Sequence, residues 1–373
     1  MERNLNLQKN KINEKKRYDW IDIAKGIAVL LMVFGHSNEG LSNITQVNAF
    51  VYSFHMPLFF IVSGYLFKPS KDFVKKKSKS ILLPYFFLYL LTVLCSGIID
   101  NFSKGVKIEN IISITKSFLY GCGLDVLNGR VKNVGPLWFL PCFFVSSLIF
   151  YFFFVISKKI GKKNDTVMLG ILCTACASFG ILISDVIMPW SIDIAFVCQV
   201  FMFAGYVLKN CNFFDNEKSV ILTFLVSASF WIISTLNYNN ISLNDRHYGN
   251  SFLTIITAIC GTFVVLFMSK LIDRLVVIPS VLSFFGKISL IVLSFHISGY
   301  NIFHLYRLDA VSSLYGKPFL LTLFRIIWCV VIYLIISITP LYIIFFNERP
   351  KLMFIKVLKQ HISNFKNKRK WHF

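Results

Sequence analysis

Charge is scarce in this chain, and acidic charge is scarcest. Only 15% of the residues are charged, with 18 Asp and Glu against 39 Lys and Arg. A soluble domain is about a quarter charged. Two soluble domains, which 373 residues could otherwise fill, are therefore disfavoured. The chain has no G-x-x-x-x-G-K-S/T loop, no G-x-G-x-x-G fingerprint and no H-E-x-x-H. That argues against a nucleotide-driven pump and a membrane zinc protease. Internal repeats, a common sign of transporters, are not evident either. Nine cysteines, an odd number lying mostly in apolar runs, make no disulfide framework. Cys122 stands alone in a connecting loop. Cys173 and Cys176 form a CxxC without a second pair, and read better as small residues that let helices pack than as a metal or redox site. No metal is expected.

What the chain does have is apolar length. It is 55% hydrophobic with a mean hydropathy of +0.64, and its apolar runs reach the ~20 residues that cross a bilayer as helix. Ten spans are predicted: Trp20–Ser37, Val47–Phe67, Ile81–Ile99, Gly135–Ile156, Val167–Ile187, Ile192–Leu208, Val220–Leu236, Phe252–Phe267, Val281–Tyr300 and Phe319–Phe346. The fold class is thus all-α, a polytopic membrane helical bundle of about ten transmembrane helices. The net charge of +21 could suggest nucleic acid, but the placement of the charge points to topology instead. With ten alternating spans, 28 Lys and Arg fall on one side and eight on the other, with three in or at the edge of spans. The positive-inside rule puts both termini in the cytoplasm. Residues 1–19 are then a basic cytoplasmic arm held at the anionic inner leaflet, 20–346 the transmembrane domain, and 347–373 a basic tail too small to be a catalytic domain. The first apolar run ends in GHSNEG rather than a small-residue cleavage site, and is expected to stay as an anchor.

Two adjoining stretches carry most of the chemistry: RYDWIDIAKGIAVLLMVFGHSNEG, from Arg17, and YSFHMPLFFIVSGYLF, from Tyr52. Ionisable groups inside apolar spans are costly and usually face a protein interior or a wet cavity. Asp22 and Lys25 are three apart and share a helix face. Lys25 and His36 are separated by ten residues, ~16 Å along a helix axis, about the reach of an extended cofactor arm. His55 is expected near the level of His36. Pro57 removes a backbone hydrogen bond that neighbours must replace, and the small pair Ser63-Gly64 allows a close helix approach.

The remaining chain is less specific. The basic loop from Lys68 to Lys79 accounts for topology and could also attract a phosphorylated cofactor. The longest outer loop runs from Asn101 to Val134, a length often found in lids, and its segment Ile108 to Leu119 suits a short interfacial helix. Trp138, in GPLWFLPCFF, fits an aromatic belt or a shelf for a sugar ring. Asp185 and Asp193 flank a short outer turn, as solvated turn residues or as contacts to sugar hydroxyls. The polar loop Asn237 to Asn250 holds Asp245, Arg246 and His247. Ser289 and His296 lie in GKISLIVLSFHISGY, and His296 is a third histidine inside a span.

The segments WIDIAKGIAVLLMVFGH, FHMPLFFIVSGYLF, PLWFLPCFF and GKISLIVLSFHI, in this order, resemble the acyltransferase 3 family of integral membrane O-acyltransferases, and most of all its fucose 4-O-acetylase-like branch. The family marker is Arg or Lys, ten residues, then His, which Lys25 and His36 match. The resemblance implies that His36 is the essential histidine and Lys25 its basic companion. Lysine is a point charge where many members have the bidentate fork of arginine. Some members carry a soluble hydrolase-like domain after the last span, and this chain is expected to be a stand-alone version without one. The expected activity is transfer of an acetyl group from cytoplasmic acetyl-CoA to a hydroxyl of a cell-surface polysaccharide or an undecaprenyl-linked glycan, in a bacterial inner or plasma membrane. His36 and His55 are the candidate catalytic groups, able to take the proton or carry the acetyl group. Lys25, Asp22 and Arg17 are the candidate cofactor-binding set, and Trp138, Ser63 and His296 the acceptor-side set. Membrane lipids and a glycan are the expected partners, with no nucleic acid. The rival readings are a glycan-lipid flippase or proton-coupled transporter, and a silent membrane partner in polysaccharide assembly.

Overall fold

In a bilayer every backbone polar group must be satisfied within the protein, and this chain meets that demand with helices. A computed structural model describes residues 19–38, 45–103, 108–215, 217–237, 241–275, 277–298, 309–314 and 316–346. The basic arm with Arg17 and the basic tail lie outside the described residues. The helices are α1 Asp19–Ser37, α2 Thr45–Tyr65, α3 Phe73–Lys77, α4 Leu83–Ser103, α5 Ile108–Tyr120, α6 Phe139–Ile160, α7 Asp165–Leu182, α8 Ile192–Asn210, α9 Glu217–Leu236, α10 Ser251–Ile272, α11 Val277–Lys287, α12 Ser289–Phe295, α13 Asp309–Ser312, α14 Pro318–Ile338 and α15 Tyr342–Phe345. Among the described residues, β-pairing is limited to two isolated bridges, Val126 with Val131 and Ser242 with His247. Among the described residues, nine helical stretches are long and apolar enough to span a membrane, or ten if α11 and α12, bent by 62° at their junction, count as one span. The protein is a multi-pass membrane bundle.

Four expected spans differ in detail. The ninth was expected unbroken from Val281 to Tyr300, but the helix breaks at Ile288, which leaves helical geometry at φ −98°, ψ 14°. The break follows Gly286, a weak helix former. The tenth stops at Ile338, because Thr339 precedes Pro340 and is forced to extended backbone, φ −98°, ψ 165°. The fifth ends at Leu182 rather than Ile187. The third starts earlier than expected: α3 runs through a π-helical turn, Ser78–Leu82, into α4. Pro84, which has no N–H to give the preceding turn, sits just after it.

Two glycine-lined crossings set the centre. A Cβ on Gly26 would lie 1.9 Å from the Leu282 carbonyl oxygen, and one on Gly286 would lie 1.7 Å from that of Asp22. Helices α1 and α11 therefore touch backbone to backbone from both sides. Helices α2 and α8 do the same, with Gly64 against Met202 and Gly205 against Ile61. Gly64 is the small residue for which the sequence predicted a close approach. The span Gln46–Tyr65 is 67% buried within the bundle and Lys162–Leu182 only 22%, so α2 is central and α7 faces lipid.

The side opposite the basic loops carries a knitted cap. The expected interfacial helix is α5, and Tyr85 Oη donates to its Phe118 carbonyl at 2.6 Å. Trp190 Nε1 donates to the Leu119 carbonyl at 3.0 Å and Tyr120 Oη to that of Ile187 at 2.8 Å. Trp190 and Ser191 hold left-handed backbone, φ 56° and 50°, to make this turn. Asp193 is not a solvated turn residue. It is buried, pairs with Arg246 at 2.7 Å and accepts the Met188 N–H at 3.1 Å. Arg246 is thereby tied into the cap instead of being presented to solvent.

Candidate active site

The site is built on the halves of α1 and α2 that lie away from the basic loops and on the bent pair α11–α12. Helix α1 presents Lys25 toward the basic side and His36 at its other end. Lys25 Nζ lies 2.9 Å from the Asp22 carboxylate, whose side chain is 6% exposed against 22% for the lysine. The pairing expected from i,i+3 spacing is present. Eleven helical steps put His36 ~16 Å further along the axis.

His36 points inward. Its ring centroid is 5.1 Å from that of His296, with planes tilted by 36°, and 6.4 Å from that of Tyr52. Tyr52 in turn meets His55 edge-on at 5.2 Å. All three histidines expected inside spans thus gather around Tyr52 and His36. The bend between α11 and α12 re-aims the second half of that span, and His296 caps this half.

The tautomers follow from the helix backbone. His55 Nδ1 lies 2.8 Å from the Val51 carbonyl oxygen. His296 Nδ1 lies 3.0 Å from that of Val292 and 3.1 Å from that of Leu293. A carbonyl only accepts, so Nδ1 carries the hydrogen in each neutral ring and Nε2 keeps its lone pair. His296 is 1% exposed, and its Nε2 has no hydrogen-bond partner among the described residues.

Two groups join this cluster that sequence reasoning did not assign to it. Arg325, buried in α14, donates from Nη1 to Ser37 Oγ at 3.2 Å and lies within electrostatic range of His296. A lone arginine inside FLLTLFRIIWCVV was the available signal, since an intramembrane charge is a functional candidate by default. Tyr52 carried no such signal: a tyrosine near a span end is ordinary. Trp328 Nε1 donates to Ser298 Oγ at 3.1 Å, tying α14 to the segment after His296.

The remaining candidates are more dispersed. Ser63 lies eight residues beyond His55 on α2, ~12 Å toward the basic side, beside the Gly64 crossing and away from the imidazoles. Trp138 is buried rather than set in a lipid-facing belt. It closes the 3-10 turn Gly135–Trp138, which packs against α12, and a Cβ on Gly123 would lie 2.6 Å from its indole. Cys173 is buried, Cys176 half-buried, and no group of three metal-ligating side chains occurs among the described residues.

Fold and site together define an integral membrane protein with an imidazole cluster inside a helical bundle, His55 and His296 buried and His36 half-buried. A family model described as an acyltransferase domain, acyltransferase 3, matches residues 18–347. The chain belongs to this family and is a membrane acyltransferase. No curated protein and no solved structure matches it.

Proposed function

We propose that the protein moves an acetyl group from cytoplasmic acetyl-CoA to a sugar hydroxyl of a cell-surface polysaccharide or its undecaprenyl-linked precursor. The observation that carries the reading is the meeting of three imidazoles at the end of α1 opposite Lys25. A sugar hydroxyl is a poor nucleophile at neutral pH, and its acetylation needs a base or an acyl carrier. A neutral imidazole can be either. His36 is the acting group in this reading. Lys25 and the basic inner loops favour the cofactor's phosphates at the other end of α1, and the ~16 Å between Lys25 and His36 suits the cofactor's extended arm. Trp138, on the 3-10 turn against α12, borders the acceptor in this reading. The membrane in question is the bacterial inner or plasma membrane.

The test is His36→Ala, with the surface glycan read by NMR for O-acetyl protons. Loss of the acetyl signal at unchanged protein level in the membrane is the expected result. Full acetylation by the variant refutes the assignment. Translocation of an unmodified glycan lipid with no need for acetyl-CoA would favour a flippase.

A further inference from the structure

We propose that the two facing imidazoles divide the labour: His36 carries the acyl group, and His296 Nε2 takes the proton of the acceptor hydroxyl. The proposal rests on the acyl-transfer reading above and assigns the second catalytic group within it. Three observations carry it. The His296 ring stands 5.1 Å from the His36 ring. Its hydrogen is fixed on Nδ1 by the Val292 and Leu293 carbonyls. Its Nε2 is buried without a hydrogen-bond partner among the described residues, although buried polar atoms in folded proteins are nearly always satisfied. A buried lone pair kept open beside the acting imidazole is suited to a substrate O–H. The chain also breaks a transmembrane helix to put His296 there.

The chemistry explains why one ring is not enough. The acylated nitrogen of His36 has given up its lone pair, and the one on the other ring nitrogen is weakened by the acyl group and points away from the acyl carbon, so acyl-His36 is a poor base for its own deacylation. In the first step a His36 nitrogen attacks the thioester carbonyl, the C–N bond forms and the C–S bond breaks. The ring's N–H proton leaves with the sulfur, giving acyl-His36 and free thiol. In the second step the acceptor O–H breaks and its proton passes to His296 Nε2. The oxygen forms the new C–O bond as the acyl C–N bond breaks, and the proton moves from His296 to the departing His36 nitrogen. Both rings end neutral, and the sum is thioester plus alcohol giving ester plus thiol.

The test uses membranes carrying the full-length protein and their own glycan, with acetyl-CoA as donor. Three rates are read: acetyl ester in the glycan, exchange of labelled CoA into acetyl-CoA without glycan, and acetyl-hydroxamate formed with hydroxylamine. Hydroxylamine is a strong nucleophile that needs no base, and the rate in His36→Ala membranes is subtracted. His296→Asn keeps an amide N–H near the place of Nδ1 but offers no proton acceptor. Its ester formation should fall about a hundredfold or more, the usual worth of a general base. Exchange and hydroxamate should stay within about threefold of wild type. His296→Gln, the second variant, should behave alike. Ester formation near the wild-type rate in either variant overturns the proposal, as does an equal fall of all three rates, the mark of a structural role. Wild-type ester formation without CoA exchange overturns it irrespective of how the variants fold. If wild-type membranes form neither ester nor hydroxamate from acetyl-CoA, the acyl-transfer reading itself fails.

Discussion

Adding one methyl group at Gly286 tests whether backbone contact between α1 and α11 sets the site. The new carbon would lie 1.7 Å from the Asp22 carbonyl oxygen. The closest comfortable carbon–oxygen contact is about 3.3 Å, so the helices must part by about 1.5 Å. Neither obstacle is a flexible side chain. Overpacking of this kind costs about 1–3 kcal/mol, which should lower Tm in detergent by several degrees. The larger effect is on chemistry. Gly286 lies two residues before the break that aims His296, and a 1 Å misplacement in an active site can cost about a hundredfold in rate. Acetyl transfer by Gly286→Ala should therefore fall much further than its stability. Gly170→Ala is the control, because its Cβ would meet the far edge of the Phe203 ring, 2.7 Å away, which can turn aside. The measurements are thermal unfolding of the purified protein and ester formation in membranes. A Gly286→Ala variant as stable and as active as wild type would refute the backbone-contact argument.

Removing Lys25 separates its structural role from its functional one. Lys25→Met leaves the Asp22 carboxylate, 6% exposed, without this cation and should cost about 2 kcal/mol, below the usual figure for a buried pair because the lysine is partly solvated. Adding Asp22→Asn should restore thermal stability without restoring the KM for acetyl-CoA; recovery of both would remove Lys25 from donor binding. Arg246→Ala strands Asp193, 1% exposed, and should lower stability by about 3–5 kcal/mol by thermal or denaturant unfolding. The same variant should expose Cys122. Burial pushes the Cys122 thiol above its usual pKa, so at pH 7.5 the intact cap holds less reactive thiolate than a free cysteine would. A membrane-impermeant maleimide should label Cys122 slowly in the wild type and faster as pH rises or when the Arg246 pair is lost. Rapid labelling of the intact protein at pH 7.5 would contradict the buried position.

Much of the bundle was legible because membrane spans are a local signal. An apolar run long enough to cross needs no partner to be recognised, and the Lys25–Asp22 pair and the Gly64 contact also follow from spacing and residue size. The exceptions share a cause. Thr339 and Pro340 could have ended the last long helix from sequence alone, but hydropathy carries on through them. The Asp193–Arg246 pair ties the first turn of α8 to a loop 53 residues further on. Each residue alone looks like an ordinary polar loop group, and nothing local announces the partner. Arg325 reaches Ser37 across 288 residues, and its place beside the imidazoles depends on how α14 is rotated against α1.

The arrangement of helices gives a reason for the broken span. The tight crossing at Gly26 and Gly286 fixes α11 against the half of α1 that carries Lys25. A straight continuation would keep α12 on the line of that crossing, whatever the needs of the other half. The 62° bend at Ile288 frees the second half of the span from that line, and His296 then meets His36 at the end of α1. The short α12 packs against both α14 and the Gly135–Trp138 turn. One end of α1 is thus held by backbone contact, which tolerates no side chain, and the other by ring contacts and the Arg325–Ser37 bond, which leave side-chain nitrogen available. Rigidity and chemistry are assigned to opposite halves of the same helix. The proposed acyl carrier needs that separation, because its two imidazoles would have to be held closely enough to exchange a proton while keeping a lone pair open for the substrate.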